Sequence, residues 1–88
     1  MYPIVLSRKA IKDIPKLRKE NAKYAAKLWD LILDIMTNPF DGLGEPEALK
    51  NDLQGFWSRR ITQEHRLVYR IRDNNLEIAS CYGHYGDK

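Results

Sequence analysis

The hydrophobic period changes after Gly55, setting a mainly helical first half against a stranded second half. From Asn21 to about Thr37, Ala25, Leu28, Trp29, Ile32, Leu33, Ile35 and Met36 recur at helical spacing, with Lys23, Lys27, Asp30 and Asp34 interspersed. After Gly55 the period becomes two: His65, Leu67, Tyr69 and Ile71 alternate with Glu64, Arg66, Val68, Arg70 and Arg72. A stripe of one kind and a face of the other have to bury against each other, so the chain reads as helices laid on a sheet.

The flanking segments complete the order. Tyr2 to Leu6 reads as a short apolar strand, and Ser7 as the N-cap of a first helix on which Ala10, Ile14 and Leu17 share a face. Pro15 lacks a backbone donor and is expected to kink or break that helix. Asn38-Pro39 ends the second one. In DGLGEPEALKNDLQG, glycines at 42, 44 and 55 bracket an expected two-turn helix beginning at Pro46, with Glu47 and Lys50 on one face and Leu49 and Leu53 as anchors. Asp73-Asn74-Asn75 suits a tight turn, so residues 56 to 82 form an antiparallel three-stranded meander. The expected fold is α+β: a single domain over residues 1–88, with a twisted antiparallel sheet of about four strands and two N-terminal helices on one face. The other face is expected to be open and lined with arginines.

Composition narrows the class. With 88 residues, 43% of them apolar, the chain suits one core. A lone Cys81 and two histidines at unrelated spacings supply neither a disulfide nor a recognisable zinc motif, so no metal or cofactor is expected. The apolar run Pro3 to Leu6 is too short for a signal-peptide core and no run approaches a membrane span, so a cytoplasmic protein is expected. Net charge is only +3, but residues 8 to 27 carry eight Lys or Arg against Asp13 and Glu20, and residues 55 to 72 carry five Arg against Glu64. Two such patches suit a polyanion such as nucleic acid, although the first also reads as a solvated helix face.

Metal-independent RNA cleavage needs a base for the 2′-OH, an acid for the departing 5′-oxygen and cations for the crowded phosphate. Glu47, His84, Arg66 and Lys50 are residues of the right types, yet each taken singly reads first as a surface charge. Arg59 and Arg60 point to opposite faces of their strand, so one can join the open-face patch while the other pairs with an acid beneath. His65 shares a face with Leu67 and Tyr69 and reads as a core or sheet-edge histidine. If Ile71 opposes Ile78, Arg66 lies opposite Gly83 and diagonal to Tyr85, within about 7–8 Å, while His84 points to the other face. A shift by one aligns Arg66 with His84 but turns Leu76 and Ile78 outward. His84 therefore joins Arg66 only if the last strand ends, bulges or twists before it.

Residues 39 to 85, PFDGLGEPEALKNDLQGFWSRRITQEHRLVYRI followed by IASCYGHY, closely resemble the YoeB/Txe branch of the RelE-like bacterial toxins. The match is nearly continuous from Pro39 to Ile71, resumes at the final His-Tyr pair and fades in the N-terminal helices. What the resemblance implies is the small RelE-like (microbial RNase-like) fold and a ribosome-dependent mRNA interferase, an endoribonuclease acting in the ribosomal A site. It implies Glu47 as general base, Arg66 as stabiliser of the phosphate, His84 as general acid and Tyr85 as the residue positioning the nucleotide. Lys50, Arg59 and Arg60 are the corresponding RNA-binding cations. The resemblance also implies a YefM/Phd-type antitoxin, ribosome and mRNA as partners, operator DNA only through the antitoxin complex, and a capacity to pair as homodimers. The alternative within the superfamily is a ParE-like toxin that binds a protein target such as gyrase. Two departures stand out: Tyr82-Gly83 replaces an arginine and a bulkier residue of close relatives, and Gly86-Asp87-Lys88 extends past the usual His-Tyr end.

Overall fold

The computed structural model describes residues 1–84. Strand β1 (Ile4–Leu6) leads into helices α1 (Arg8–Glu20) and α2 (Ala22–Thr37). Strands β2 (Glu47–Ala48), β3 (Trp57–Arg60), β4 (Arg66–Arg72) and β5 (Asn75–Ser80) follow, with a 3-10 turn at Asn51–Leu53 between β2 and β3. The sheet order is β1-β5-β4-β3-β2. The expected class and the meander are observed, but the sheet has five strands and is mixed, because β1 runs parallel to β5, with Ile4 opposite Leu76 and Leu6 opposite Ile78. Parallel neighbours need a crossover, and the two helices lie within it.

Local chemistry explains the helix ends. Ser7 Oγ accepts the Ala10 N–H at 3.0 Å and donates to the Ala79 carbonyl at 2.6 Å, so one hydroxyl caps α1 and ties it to β5. Asn21 separates the helices: its N–H donates to the Leu17 carbonyl, ending α1, and its side chain accepts the Lys23 N–H at 2.9 Å, starting α2. The break expected at Pro15 does not occur; α1 runs through it. The Ile11 carbonyl, which loses a donor to the proline, belongs to a residue 57% exposed, where water can replace it.

Leu28, Leu31, Ile32 and Ile35 of α2 meet Ala10 and Leu17 of α1 and Leu67, Tyr69, Leu76 and Ile78 of the sheet in the core. Among the described residues, no helix is long and apolar enough to cross a membrane.

The helix expected at Pro46 is not formed. Gly42, Gly44 and Glu45 have φ of 108°, 80° and 54°, in the left-handed region, and these turns aim the chain at β3. Instead the Gly44 carbonyl accepts the Arg60 N–H at 2.6 Å and the segment continues as the edge strand β2, with Glu47 opposite Ser58. Glu47 and Lys50 therefore do not share a helix face. Leu49 is buried as expected of an anchor, while Leu53 is only partly so.

Candidate active site

Pairing across β2, β3, β4 and β5 decides which side chains meet. Arg59 opposes Leu67 and Trp57 opposes Tyr69 on the side facing the helices. The other side carries Glu47 opposite Ser58, Ser58 opposite Val68, and Val68 opposite Ser80. One step along the strands on that same side, Arg60 opposes Arg66. Glu47 and Arg60 are thus diagonal neighbours, about 7–8 Å apart along the pleat. Two strand spacings, about 10 Å, separate the lines of Glu47 and Arg66, a gap of the size of a nucleotide's sugar and phosphate. This helix-free face is not uniformly open, since Ser58 and Val68 at its centre are each 2% exposed.

The arginines divide into three groups by their partners. Arg59 is fully buried, and its five N–H donors meet five acceptors: Tyr69 Oη, the Asp34 carboxylate, and the carbonyls of Asn38, Asp41 and Leu43. Its expected role as an RNA contact is corrected here, because the guanidinium is consumed in pinning the α2–β2 loop. The Leu43 N–H and then the Arg59 guanidinium hold the Asp34 carboxyl below the ordinary aspartate range. Arg70 and Arg72 flank Glu77, at 2.5 and 3.3 Å, and Arg70 also lies over the Phe56 ring. The Arg70 hydrogen bond is the main cause of the lowered Glu77 pKa. That leaves the opposed pair. Arg60 pairs with the exposed Glu45, at 3.2 Å, and its buried Nε has no hydrogen-bond partner among the described residues. Arg66 donates from Nη1 to the carbonyls of Thr62 and Gln63, at 2.8 and 3.3 Å.

The chain end reaches this pair through a register change. The hairpin closes on a two-residue loop, Asp73-Asn74, with φ of 53° and 63°, so Ile71 opposes Leu76 and Tyr69 opposes Ile78; the expected Ile71–Ile78 pairing is not formed. Between Tyr69 and Val68 the register slips by one, leaving Ala79 as an extra residue, so Val68 meets Ser80. Leu76 and Ile78 stay on the core side, and β5 ends at Ser80. Beyond it the Gly83 carbonyl accepts the Arg66 N–H at 3.0 Å, which sets His84 next to the residue bonded to Arg66. Of the three ways in which His84 could approach Arg66, the strand both bulges and ends. Tyr85 lies outside the described residues. Lys50 is exposed, at the start of the 3-10 turn rather than on a helix beside Glu47.

Composition singled out none of the groups that hold the chain end. Asp13 is 1% exposed and accepts the backbone N–H groups of Cys81 and Tyr82, at 3.0 and 3.2 Å. His65 accepts the Gly83 N–H at Nδ1, at 2.8 Å, and faces Glu20 Oε2 from Nε2, at 3.1 Å; its ring stacks on Tyr82. The Tyr82 hydroxyl donates to Glu20 at 2.6 Å, and this bond, followed by that from His65, lowers the Glu20 pKa while raising that of Tyr82. Only the alternation that placed His65 among core residues hinted at this role. Glu20, Glu64 and His65 offer ligand atoms within 4.8 Å of one another. A cation there does not fit the hydrogen bonding: with Nδ1 accepting from Gly83, the imidazole proton sits on Nε2, the atom a metal would need.

Comparison with known proteins places the chain in a family. Residues 6–85 match the family model described as the YoeB-like toxin of bacterial type II toxin-antitoxin systems. Toxin YoeB of Escherichia coli K12 is 44% identical over 82 residues, covering 93% of this chain and 98% of that protein. A YoeB/ParE toxin from Agrobacterium tumefaciens superposes with a TM-score of 0.90 at 41% identity, covering 94% of this chain and 99% of the other. The toxin in a YoeB-YefM complex from Staphylococcus aureus does so with a TM-score of 0.85 at 42% identity, covering 97% and 99%. By its sequence along nearly its whole length and by its fold, the chain belongs to the YoeB-like toxins of type II toxin-antitoxin systems.

Proposed function

We propose that this toxin is a ribosome-dependent mRNA endoribonuclease that cuts the A-site codon by attack of a 2′-OH on the adjacent phosphate. Glu47 takes the 2′-OH proton, Arg66 stabilises the charge that builds on the phosphate, and His84 protonates the departing 5′-oxygen. Arg60 and Lys50 hold phosphates, and Tyr85 orients the nucleotide. The observation that supports this most is the register: an exposed carboxylate on β2 shares one face with the opposed Arg60–Arg66 pair, and the segment leading to His84 is bonded to Arg66's own backbone. The Glu45–Arg60 ion pair does not stand against it, because an exposed pair is weak and a phosphate can take the carboxylate's place. The partner that restrains the toxin is a YefM-type antitoxin, a reading supported by the Staphylococcus aureus complex.

Programmed ribosomes incubated with the protein, followed by primer extension, test the reading. The expected result is cuts confined to the A-site codon, with 5′-OH ends, and a rate lowered about 10²–10³-fold by Glu47→Gln, Arg66→Ala or His84→Gln while melting temperature holds. Intact mRNA under conditions in which the protein still arrests growth would overturn it in favour of a protein target such as gyrase.

A further inference from the structure

His65 lies beside the proposed site but off its reacting face. We infer that it is a positioning residue: held by Glu20 as the Nε2–H tautomer, it latches the Gly83 peptide and so sets where His84 stands. The inference rests on the reading of His84 as general acid.

Both sides of Gly83 are bonded, its N–H to His65 Nδ1 at 2.8 Å and its carbonyl to the Arg66 N–H at 3.0 Å. The two partners are neighbours in sequence, so one short stretch grips the residue before His84 at two points. Nδ1 can accept only while unprotonated, which places the ring proton on Nε2, and the Nε2–H donates to the Glu20 carboxylate. The ring is 5% exposed and stacked on Tyr82 with centroids 4.2 Å apart, so it has little freedom to turn away. Glu20 is fixed in turn by the Tyr82 hydroxyl. Gly83 has a φ of +88°, a left-handed conformation that suits glycine, and it turns the carbonyl toward the Arg66 N–H while the amide N–H stays on the ring. The Tyr82-Gly83 pair thus supplies both the stacking partner and the backbone freedom that the latch uses.

Two measurements test it, one independent of catalysis. Amide hydrogen exchange at Gly83 is expected to be slow in the wild type and at least about 10-fold faster in His65→Gln, which keeps a donor toward Glu20 but loses the acceptor. His65→Asn, whose side-chain oxygen can stand where Nδ1 stands, is expected to restore the protection. In single-turnover cleavage on programmed ribosomes, His65→Gln is expected to lower the maximal rate about 10–100-fold without weakening ribosome binding, and His65→Asn to recover most of it. Glu20→Ala, a change at an exposed helix end that spares the core, is expected to speed Gly83 exchange and slow cleavage relative to the wild type, and decides the matter if the buried substitutions impair folding. Equal Gly83 exchange in wild type and His65→Gln, or a wild-type cleavage rate in folded His65→Gln, would overturn the latch. Failure of the wild type to cleave at all would count against the proposed function, with the Gly83 amide still deciding the latch.

Discussion

Arg59 and Arg60 are adjacent and identical in type, yet strand alternation sends one into the interior and the other to the helix-free face. Arg59 is a structural cation whose every donor is matched, so its loss takes this donor from three loop carbonyls and leaves Asp34 with the Leu43 N–H but no cation. Arg59→Met is expected to lower the melting temperature by roughly 10 °C or more, measured by circular dichroism. Arg60→Ala should leave melting within about 2 °C while weakening RNA binding and reducing its salt slope by about one. The opposite pattern would mean that the two faces have been exchanged. At this scale the sequence was half legible: alternation required that the two arginines diverge, but which of them turned inward depended on Asp34, 25 residues away.

Among the elements, the two long helices, the meander and the caps at Ser7 and Asn38-Pro39 were readable because their signals are local. Edge strand β2 was not. Pro46-Glu47-Ala48-Leu49 has helical preference, and it pairs with β3 only because the preceding loop adopts left-handed dihedrals and docks on Arg60. Gly44 is where that docking is tightest: a Cβ there would stand 2.8 Å from Leu31 Cδ2 and 3.1 Å from the Arg60 carbonyl, at a φ of +80°. Gly44→Ala is expected to destabilise the protein by about 1–3 kcal/mol in urea titration. Because β2 carries Glu47, it should also lower cleavage more than Arg60→Ala does. Gly55→Ala, with no atom within 4 Å of its Cβ, serves as the control in which only backbone strain acts.

At the scale of the whole molecule, three carboxylates among the described residues are held below their ordinary values by groups on other elements or loops: Asp34 by Leu43 and Arg59, Glu20 by Tyr82 and His65, and Glu77 by Arg70. A carboxyl whose folded pKa is depressed contributes stability above its unfolded value, 3.8 for aspartate and 4.5 for glutamate, and loses it as pH falls through the lower folded value. Melting temperature should therefore change little on this account between pH 7 and about pH 5 and drop below about pH 4.5. Asp34→Asn is expected to flatten that acid limb. At the other end, burial and then the Asp13 charge push the Cys81 thiol up to about 12 from an ordinary 9.0. Its contribution is full below about pH 9 and is lost as pH rises from there toward 12.

The amino-acid sequence by itself determined the helical half, the stranded half and their packing, since hydrophobic period and turn chemistry act over a few residues. It also determined the residue types at the site, through the stretch that resembles YoeB/Txe toxins. Only the tertiary structure decided that Glu47 rides on an edge strand, that Arg59 is buried while Arg60 faces Arg66, and that a one-residue bulge returns the chain end to Arg66. The physical reason is that each of these depends on pairing between segments far apart in sequence. A single extra residue in one strand changes which neighbours meet without changing any local preference.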